Sequence, residues 1–392
     1  MKPMKPDTQL THLGRTVADP LPATVNVPMQ RASTVLFNDM AHLHDIEARW
    51  AADEQVPTYG ILNMPQALAL EEAVAQIEGG YRALTYPSGL AAVAGALLAV
   101  VKCGDHVLMT DSCYGPGRRF CDRFLARMGV ETTYYDPLIG AGIAALLRPN
   151  TTVVYTESPG SYTFEIQDIP AIVAAAHARG VVVIMDNAWA TGLLFNAFKH
   201  GVDLVVQPAT KYYAAHSDVL IGLVITNKAL WPRLKSSTYD LGQRASPDDC
   251  FLTLRGLRTM GVRLRAHAQS AMQLALWLQT HPAVKRVLYP ALETDPGHML
   301  YKRLFTGASG LFSVEFKDAN AAQIANMVDH FRYFKLGYSW GGFESLVMPA
   351  LLKQHRTVAP WQGGALVRFS IGLEDCDDLQ EDLAEGLARL RS

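Results

Sequence analysis

A lysine and an aspartate, each placed just past a short apolar run, are the residues of this chain best set to do chemistry. Lys211 ends VDLVVQPATK, and Asp186 follows VVVIM. Runs of this kind read as buried strands, and in open α/β sheets ligands collect outside the carboxyl ends of the strands, where the next residue is delivered. An amine and a carboxylate brought to one crevice are what pyridoxal phosphate needs. The amine holds its aldehyde as a Schiff base, and the carboxylate keeps its ring nitrogen protonated. Taken singly, Asp186 reads better as the cap of the next helix and Lys211 as a solvated loop lysine; together, and with the residues that follow, they reverse that preference.

A phosphate site is suggested in YPSGLAAVAGALLAV, where Ser88 and Gly89 open a helix whose free N–H groups and positive dipole end favour an anion. Ser-Gly is also a common plain cap, so this string gains weight only from its place ahead of the strands that deliver Asp186 and Lys211. Tyr114 follows HVLMT and is placed to lie flat on a cofactor ring, the alternative being a core or turn tyrosine. Arg368 stands inside the apolar string ALVRFSI, where an unpaired guanidinium is costly to bury, so an anionic partner is expected. That partner is either a structural carboxylate or the carboxylate of a substrate, which the planar fork suits.

Other chemistries lack their residues. The 12 histidines include no HExxH, His42 and His44 are too isolated to read as a metal pair, and no metal is required. Neither a GxSxG elbow, a Walker A loop nor a GxGxxG after a strand is present, which removes serine hydrolases, P-loop enzymes and dinucleotide folds.

The elements that must position these residues follow from the hydrophobic pattern. HVLMT, TTVVYT, VVVIM and VDLVV are short β-rich runs alternating with helical stretches, the signature of a mostly parallel sheet covered on both faces. Ile169 to Arg179 reads as a crossover helix stopped by Gly180, and Leu90 to Val101 as a buried helix too short to span a bilayer. Residues 1–62, with their prolines and short apolar patches such as PLPATVNVP, show no sustained period and read as an arm, the early prolines interrupting any helix there. A cofactor-binding α/β domain is expected over 63–260. A smaller α+β domain follows over 261–392, with strands in GLFSVEF and ALVRFSI, a terminal helix in DLQEDLAEGLARL, and loops from Ser339 to Gly364.

Composition narrows the partners. At 392 residues, with 49% hydrophobic and 18% charged residues and a formal net charge of -2, the chain gives no hint of a basic surface for nucleic acid or anionic membrane. Small molecules and further copies of itself remain. Five cysteines with no CxxC pair suit a reducing compartment, and the N-terminus has no apolar signal region, so a cytoplasmic location is expected.

On these residues the chain resembles the Cys/Met-metabolism family of pyridoxal phosphate enzymes over nearly its whole length, and within it the bacterial cystathionine β-lyases. The strings that carry the resemblance are QPATKYYAAHSD, IMDNAWATGLLF, YTESPGSYTFEI, GLRTMGVRLRAH, YSWGGFESL and RFSIGLEDCDDL. Ser161 and Tyr162 stand where the γ-lyase and γ-synthase branches usually carry Asn-Pro, which favours the β-lyase branch. The resemblance implies the fold type I architecture of PLP-dependent transferases, assembled as a homotetramer of two dimers with shared active sites. It implies that Lys211 forms the Schiff base, Asp186 pairs with the pyridine nitrogen, Tyr114 stacks on the ring, and Gly89, Leu90 and Thr210 bind phosphate. Arg368, Ser339 and Trp340 would hold the substrate, and Tyr59 would arrive from the partner chain to serve cofactor, substrate and catalysis. The implied reaction is α,β-elimination of cystathionine or a related amino acid to a thiol, pyruvate and ammonia.

One departure stands out. The family usually follows the tyrosine at position 59 with an arginine two residues later, whereas here the string is TYGILNMPQ and the residue is Ile61. A charge-assisted phosphate contact worth about 1.5–3 kcal/mol is missing. Arg118 and Arg119 are possible replacements, a solvated helix face being the other reading of that pair. The change also motivates a γ-eliminating or γ-replacing lyase on a methionine-like, canavanine-like or other γ-substituted amino acid, and, further off, a non-catalytic homologue.

Overall fold

The computed structural model describes residues 4–15, 24–352 and 356–390. Its centre is a seven-stranded sheet of β1 (Arg82–Tyr86), β2 (His106–Thr110), β3 (Glu131–Tyr135), β4 (Thr151–Glu157), β5 (Val182–Asp186), β6 (Leu204–Gln207) and β7 (Gly222–Thr226), in the order β1-β7-β6-β5-β4-β2-β3. Only β7 runs antiparallel to its neighbours β1 and β6; the pairs from β6 to β3 are parallel. Parallel strands need crossovers that cover both faces, which is why β5 and β6 carry the unbroken apolar runs VVIM and LVV rather than an alternating pattern, and β2 is buried along its whole length. This is the mostly parallel sheet expected for fold type I. A second sheet holds β8 (Val284–Leu288), β9 (Leu311–Phe316), β10 (Lys335–Leu336), β11 (Leu346–Pro349) and β12 (Leu366–Ser370), in the order β10-β11-β12-β9-β8.

The helices follow their local signals. Asp168 accepts the Ala171 N–H at 3.2 Å to start Ile169–His177, and Gly180, with φ +68, turns the chain out of it. Ser88 caps Gly89–Leu98 by accepting the Ala91 N–H at 3.1 Å. β7 passes close by: a Cβ at Gly222 would lie 2.5 Å from the Ser88 carbonyl oxygen, so only glycine permits the strand to approach the helix start.

Three expectations need correction. Residues 1–62 are not without regular structure, since helices form over Pro6–His12 and Met40–Ala51; Pro6 begins a helix instead of interrupting one, because the first helical position has no N–H to lose, and Asp39 caps the second helix through the His42 N–H at 2.8 Å. Residues 1–3 and the start of the PLPATVNVP patch lie outside the described residues. The stretch from Ser339 to Gly364 contains β11, four residues whose antiparallel pairing with β12 supplies an order that the local sequence does not. Among the described residues no helix is long and apolar enough to cross a membrane.

One buried carboxylate ties the loops beyond β5 and β6 to the helix Pro65–Glu78. Glu78 accepts from the Gly192 N–H (2.7 Å), Gln207 Nε2 (2.8 Å), the Tyr213 hydroxyl (2.5 Å) and Asn187 Nδ2 (3.2 Å). Asn187 adjoins Asp186, and Tyr213 lies two residues past Lys211. Glu78→Leu strands these buried donors and is expected to lower the unfolding free energy by about 4 kcal/mol. Urea denaturation at pH 7 measures this; a loss under about 1 kcal/mol would contradict the role.

Candidate active site

Both chemistry-bearing residues emerge at the carboxyl ends of neighbouring parallel strands. Asp186 is the last residue of β5, buried, accepting the Ala188 N–H at 3.0 Å. β6 ends at Gln207, and the chain turns through Pro208 and Ala209 into a short helical turn, Thr210–Ala214, broken at Lys211 by a ψ of -115. The Lys211 amine donates to Ser339 Oγ at 2.5 Å and lies 5.2 Å from the centre of the Trp340 ring. Burial, and then the Arg368 guanidinium, push this amine down to about 8, while Asp186 pulls the other way.

The sign of each influence gives a testable ordering. In the apoprotein, the pH dependence of Lys211 acylation by a small amine reagent is expected to have a midpoint near 8, below the ordinary 10.5. Asp186→Asn should lower that midpoint further, and Arg368→Leu should raise it. A wild-type midpoint near the ordinary value would contradict this electrostatic picture.

Arg368 is buried in β12, and Nη2 donates to the Ser339 carbonyl at 3.0 Å. No carboxylate of the described residues pairs with it, so the structural salt bridge anticipated for a buried arginine is absent. It also faces the ring of Tyr162, with the guanidinium carbon 4.9 Å from the ring centre. Ser339 therefore touches both Lys211 and Arg368. It does so from a left-handed backbone, φ +83, that non-glycine residues rarely adopt.

A second carboxylate, which the sequence pattern did not single out, stands beside Asp186. Glu157, the last residue of β4, is in direct register with Asp186. It accepts the Tyr114 N–H at 2.6 Å and the Ser161 hydroxyl at 2.5 Å. Burial raises Glu157, and the charge on Asp186 raises it further, so Glu157 holds a proton more tightly than an ordinary carboxylic acid. The glutamate thereby fixes the turn that carries Tyr114, a residue 42% exposed. Burial and then Asp186 raise the Tyr114 phenol, so it stays protonated at neutral pH.

Gly89 and Leu90 open the helix Gly89–Leu98, where the first N–H groups have no partner within the helix. A Cβ at Gly89 would come 2.8 Å from the Pro208 side chain, so the helix start abuts the segment leading to Lys211. The Thr210 hydroxyl is engaged with Ile221, accepting its N–H at 2.9 Å and donating to its carbonyl at 3.1 Å. Tyr59 lies apart: it is 51% exposed, bridges to Leu62, and among the described residues makes none of the contacts of Lys211, Asp186 or Arg368.

The two arginines considered as substitutes at position 61 separate. Arg118 is buried, ion-paired with Asp111, and packed on the Tyr134 ring at 3.4 Å, so it is neither solvated nor spare. Asp111 also accepts the N–H groups of Thr357 (3.0 Å), Val358 (2.9 Å) and Ala359 (2.8 Å), which explains why a cation is held there. Arg119 is exposed. A third arginine backs the altered loop: Arg244 Nε donates to the Ile61 carbonyl at 3.1 Å, and its guanidinium pairs with the buried Glu71 at 2.6 Å.

The donor set fits pyridoxal phosphate: a buried amine with a depressed pKa, a buried carboxylate one strand away, a partly exposed tyrosine, and a glycine-led helix start for phosphate. Comparisons with known proteins agree. The family described as Cys/Met metabolism PLP-dependent enzyme matches residues 7–388. A putative cystathionine beta-lyase of Rhizobium johnstonii is 47% identical over 97% of this chain and 96% of its own, and the cystathionine beta-lyase of Escherichia coli K12 is 44% identical over 100% of each. The crystal structure of cystathionine gamma synthase from Xanthomonas oryzae pv. oryzae, in complex with aminoacrylate and cysteine, superposes with a TM-score of 0.90 at 30% identity, covering 100% of this chain and 99% of that one. Sheet order, site chemistry and whole-length similarity together place this chain in the Cys/Met metabolism family of PLP-dependent enzymes.

Proposed function

We propose that this chain, a PLP-dependent carbon–sulfur lyase, cleaves cystathionine or a close analogue by α,β-elimination, releasing homocysteine, pyruvate and ammonia. The observation that carries the reading is the junction at Ser339, whose hydroxyl accepts from Lys211 and whose carbonyl accepts from Arg368. A substrate α-carboxylate on the buried Arg368 fork has its Cα set toward the Lys211 amine.

Bound pyridoxal phosphate supplies an electron sink that acidifies the substrate Cα–H. Lys211, Asp186, Tyr114, Gly89, Leu90 and Thr210 would hold it, with Tyr59 reaching over from a neighbouring subunit. Asp186 keeps a proton on the ring nitrogen. Lys211, with its amine near 8, exists partly as the free base at neutral pH; it takes the Cα proton and returns a proton to the departing thiolate, with Tyr59 as a second donor. Arg368, Ser339 and Trp340 orient the substrate so that the bond to be broken faces this amine.

The organisation proposed around this site is an arm over 1–62, a cofactor domain over 63–260 and a smaller domain over 261–392. Homotetramers of site-sharing dimers are supported by the exposure of Tyr59, Ile61 and Leu36 in the single chain. Free thiols at all five cysteines support a reducing cytoplasmic setting.

Ile61 favours one competing reading, γ-elimination or γ-replacement on a γ-substituted amino acid, since it alters the loop that carries Tyr59. Incubation with cystathionine, methionine and canavanine, followed by identification of the keto acid, separates the two. Pyruvate with homocysteine from cystathionine is expected; 2-oxobutyrate as the main product would overturn the β-elimination assignment. A colourless purified protein that takes up no added cofactor would point instead to a non-catalytic homologue.

A further inference from the structure

Tyr162 occupies a position that local backbone preference does not explain. Its φ is +66, a left-handed conformation that an aromatic side chain rarely adopts. The turn around it is fixed from several sides: the Ser161 N–H donates to the Ser112 carbonyl at 2.8 Å, Phe164 N–H to the Gly160 carbonyl at 3.0 Å, and Ser161 Oγ to Glu157 at 2.5 Å. Glu165, at the end of the turn, accepts from Arg356 at 2.7 Å. Such an over-determined turn can hold one residue in an unfavourable conformation, and such residues concentrate where a side chain must be aimed. Here it is aimed at Arg368. The guanidinium is buried, lacks a carboxylate partner among the described residues, and has the Tyr162 ring 4.9 Å away.

We propose that Tyr162 is a positioning residue for the substrate α-carboxylate clamp, its ring covering Arg368 so that the fork keeps its in-plane N–H groups directed at the incoming carboxylate. A ring face attracts a guanidinium without using those N–H groups, so it stabilises the cation while leaving it able to bind. A carboxylate in the same place would neutralise Arg368 and compete with the substrate. This inference rests on the reading of Arg368 as the carboxylate clamp.

The test compares two inhibitors of the holoenzyme that differ only in the carboxylate: aminooxyacetate carries it and methoxyamine does not. Asparagine tolerates left-handed backbone, so Tyr162→Asn removes the ring with the turn retained; Tyr162→Phe keeps the ring. Binding is followed by cofactor absorbance. For Tyr162→Asn the dissociation constant of aminooxyacetate is expected to rise about 2- to 30-fold, the range from an exposed to a desolvated cation–π contact, with methoxyamine unchanged and the melting temperature preserved. KM for the turned-over amino acid should rise by the same factor with kcat within about twofold, and Tyr162→Phe should behave as wild type. Equal loss for both inhibitors, or no loss for aminooxyacetate, would overturn the role of Tyr162. Wild-type enzyme that prefers methoxyamine would instead overturn the clamp reading of Arg368.

Discussion

Lys211→Ala is expected to lower kcat by about 10⁴-fold or more, with the fold intact. Two losses combine in this one substitution. The base that takes the Cα proton disappears, and a positioned general base contributes about 10²–10⁴-fold by itself. The amine that anchors the cofactor disappears with it. Stability should not suffer, because the only hydrogen bond lost among the described residues is to Ser339 Oγ, and the removed amine is one that burial already disfavours in its charged form. Keto-acid release measures the first effect, and thermal unfolding monitored by circular dichroism the second. Activity within tenfold of wild type would refute the role given to Lys211.

The second large effect falls on Arg368. Two charge-assisted hydrogen bonds to a carboxylate, at about 1.5–3 kcal/mol each, set the expected loss for Arg368→Leu at about 10²–10⁴ in kcat/KM. Arg368→Lys should recover little of it, since a single ammonium cannot reproduce the fork. Stability is expected to move the opposite way, because the substitution removes a buried guanidinium that has no carboxylate partner among the described residues and leaves an apolar side chain between β9 and β11. A gain of about 1–3 kcal/mol by urea denaturation, together with the loss of activity, distinguishes a binding arginine from a structural one. Destabilisation by Arg368→Leu would mean that the guanidinium serves the fold.

Much of this site was legible because it depends on local signals. VVVIM and VDLVV read as strands from composition, and a strand end delivers its next residue to the ligand crevice, so Asp186 and Lys211 could be found without knowing which strands pair. Ser88 likewise announces its helix by residue type. What the sequence hid depends on pairing between distant segments. Glu157 matters because β4 and β5 run parallel in a register that sets it opposite Asp186. Arg118 looked solvated because its partner Asp111 is held by a segment more than 200 residues away. Tyr162 served as a branch marker, but its contact with Arg368 needs a left-handed turn on one sheet to meet a strand of the other. β11 is too short for periodicity to register, and the arm helices depend on capping by Asp39 and a first-turn proline more than on an apolar stripe.

The central claim is that the cofactor is carried at Lys211, opposite Asp186 and beside the Arg368 clamp. Reduction of the coloured holoprotein with borohydride, followed by proteolysis and mass spectrometry, tests it directly. A pyridoxyl group is expected on the peptide containing QPATKYY, at Lys211, in stoichiometric yield. Its appearance on any other lysine, or on none, would contradict the account.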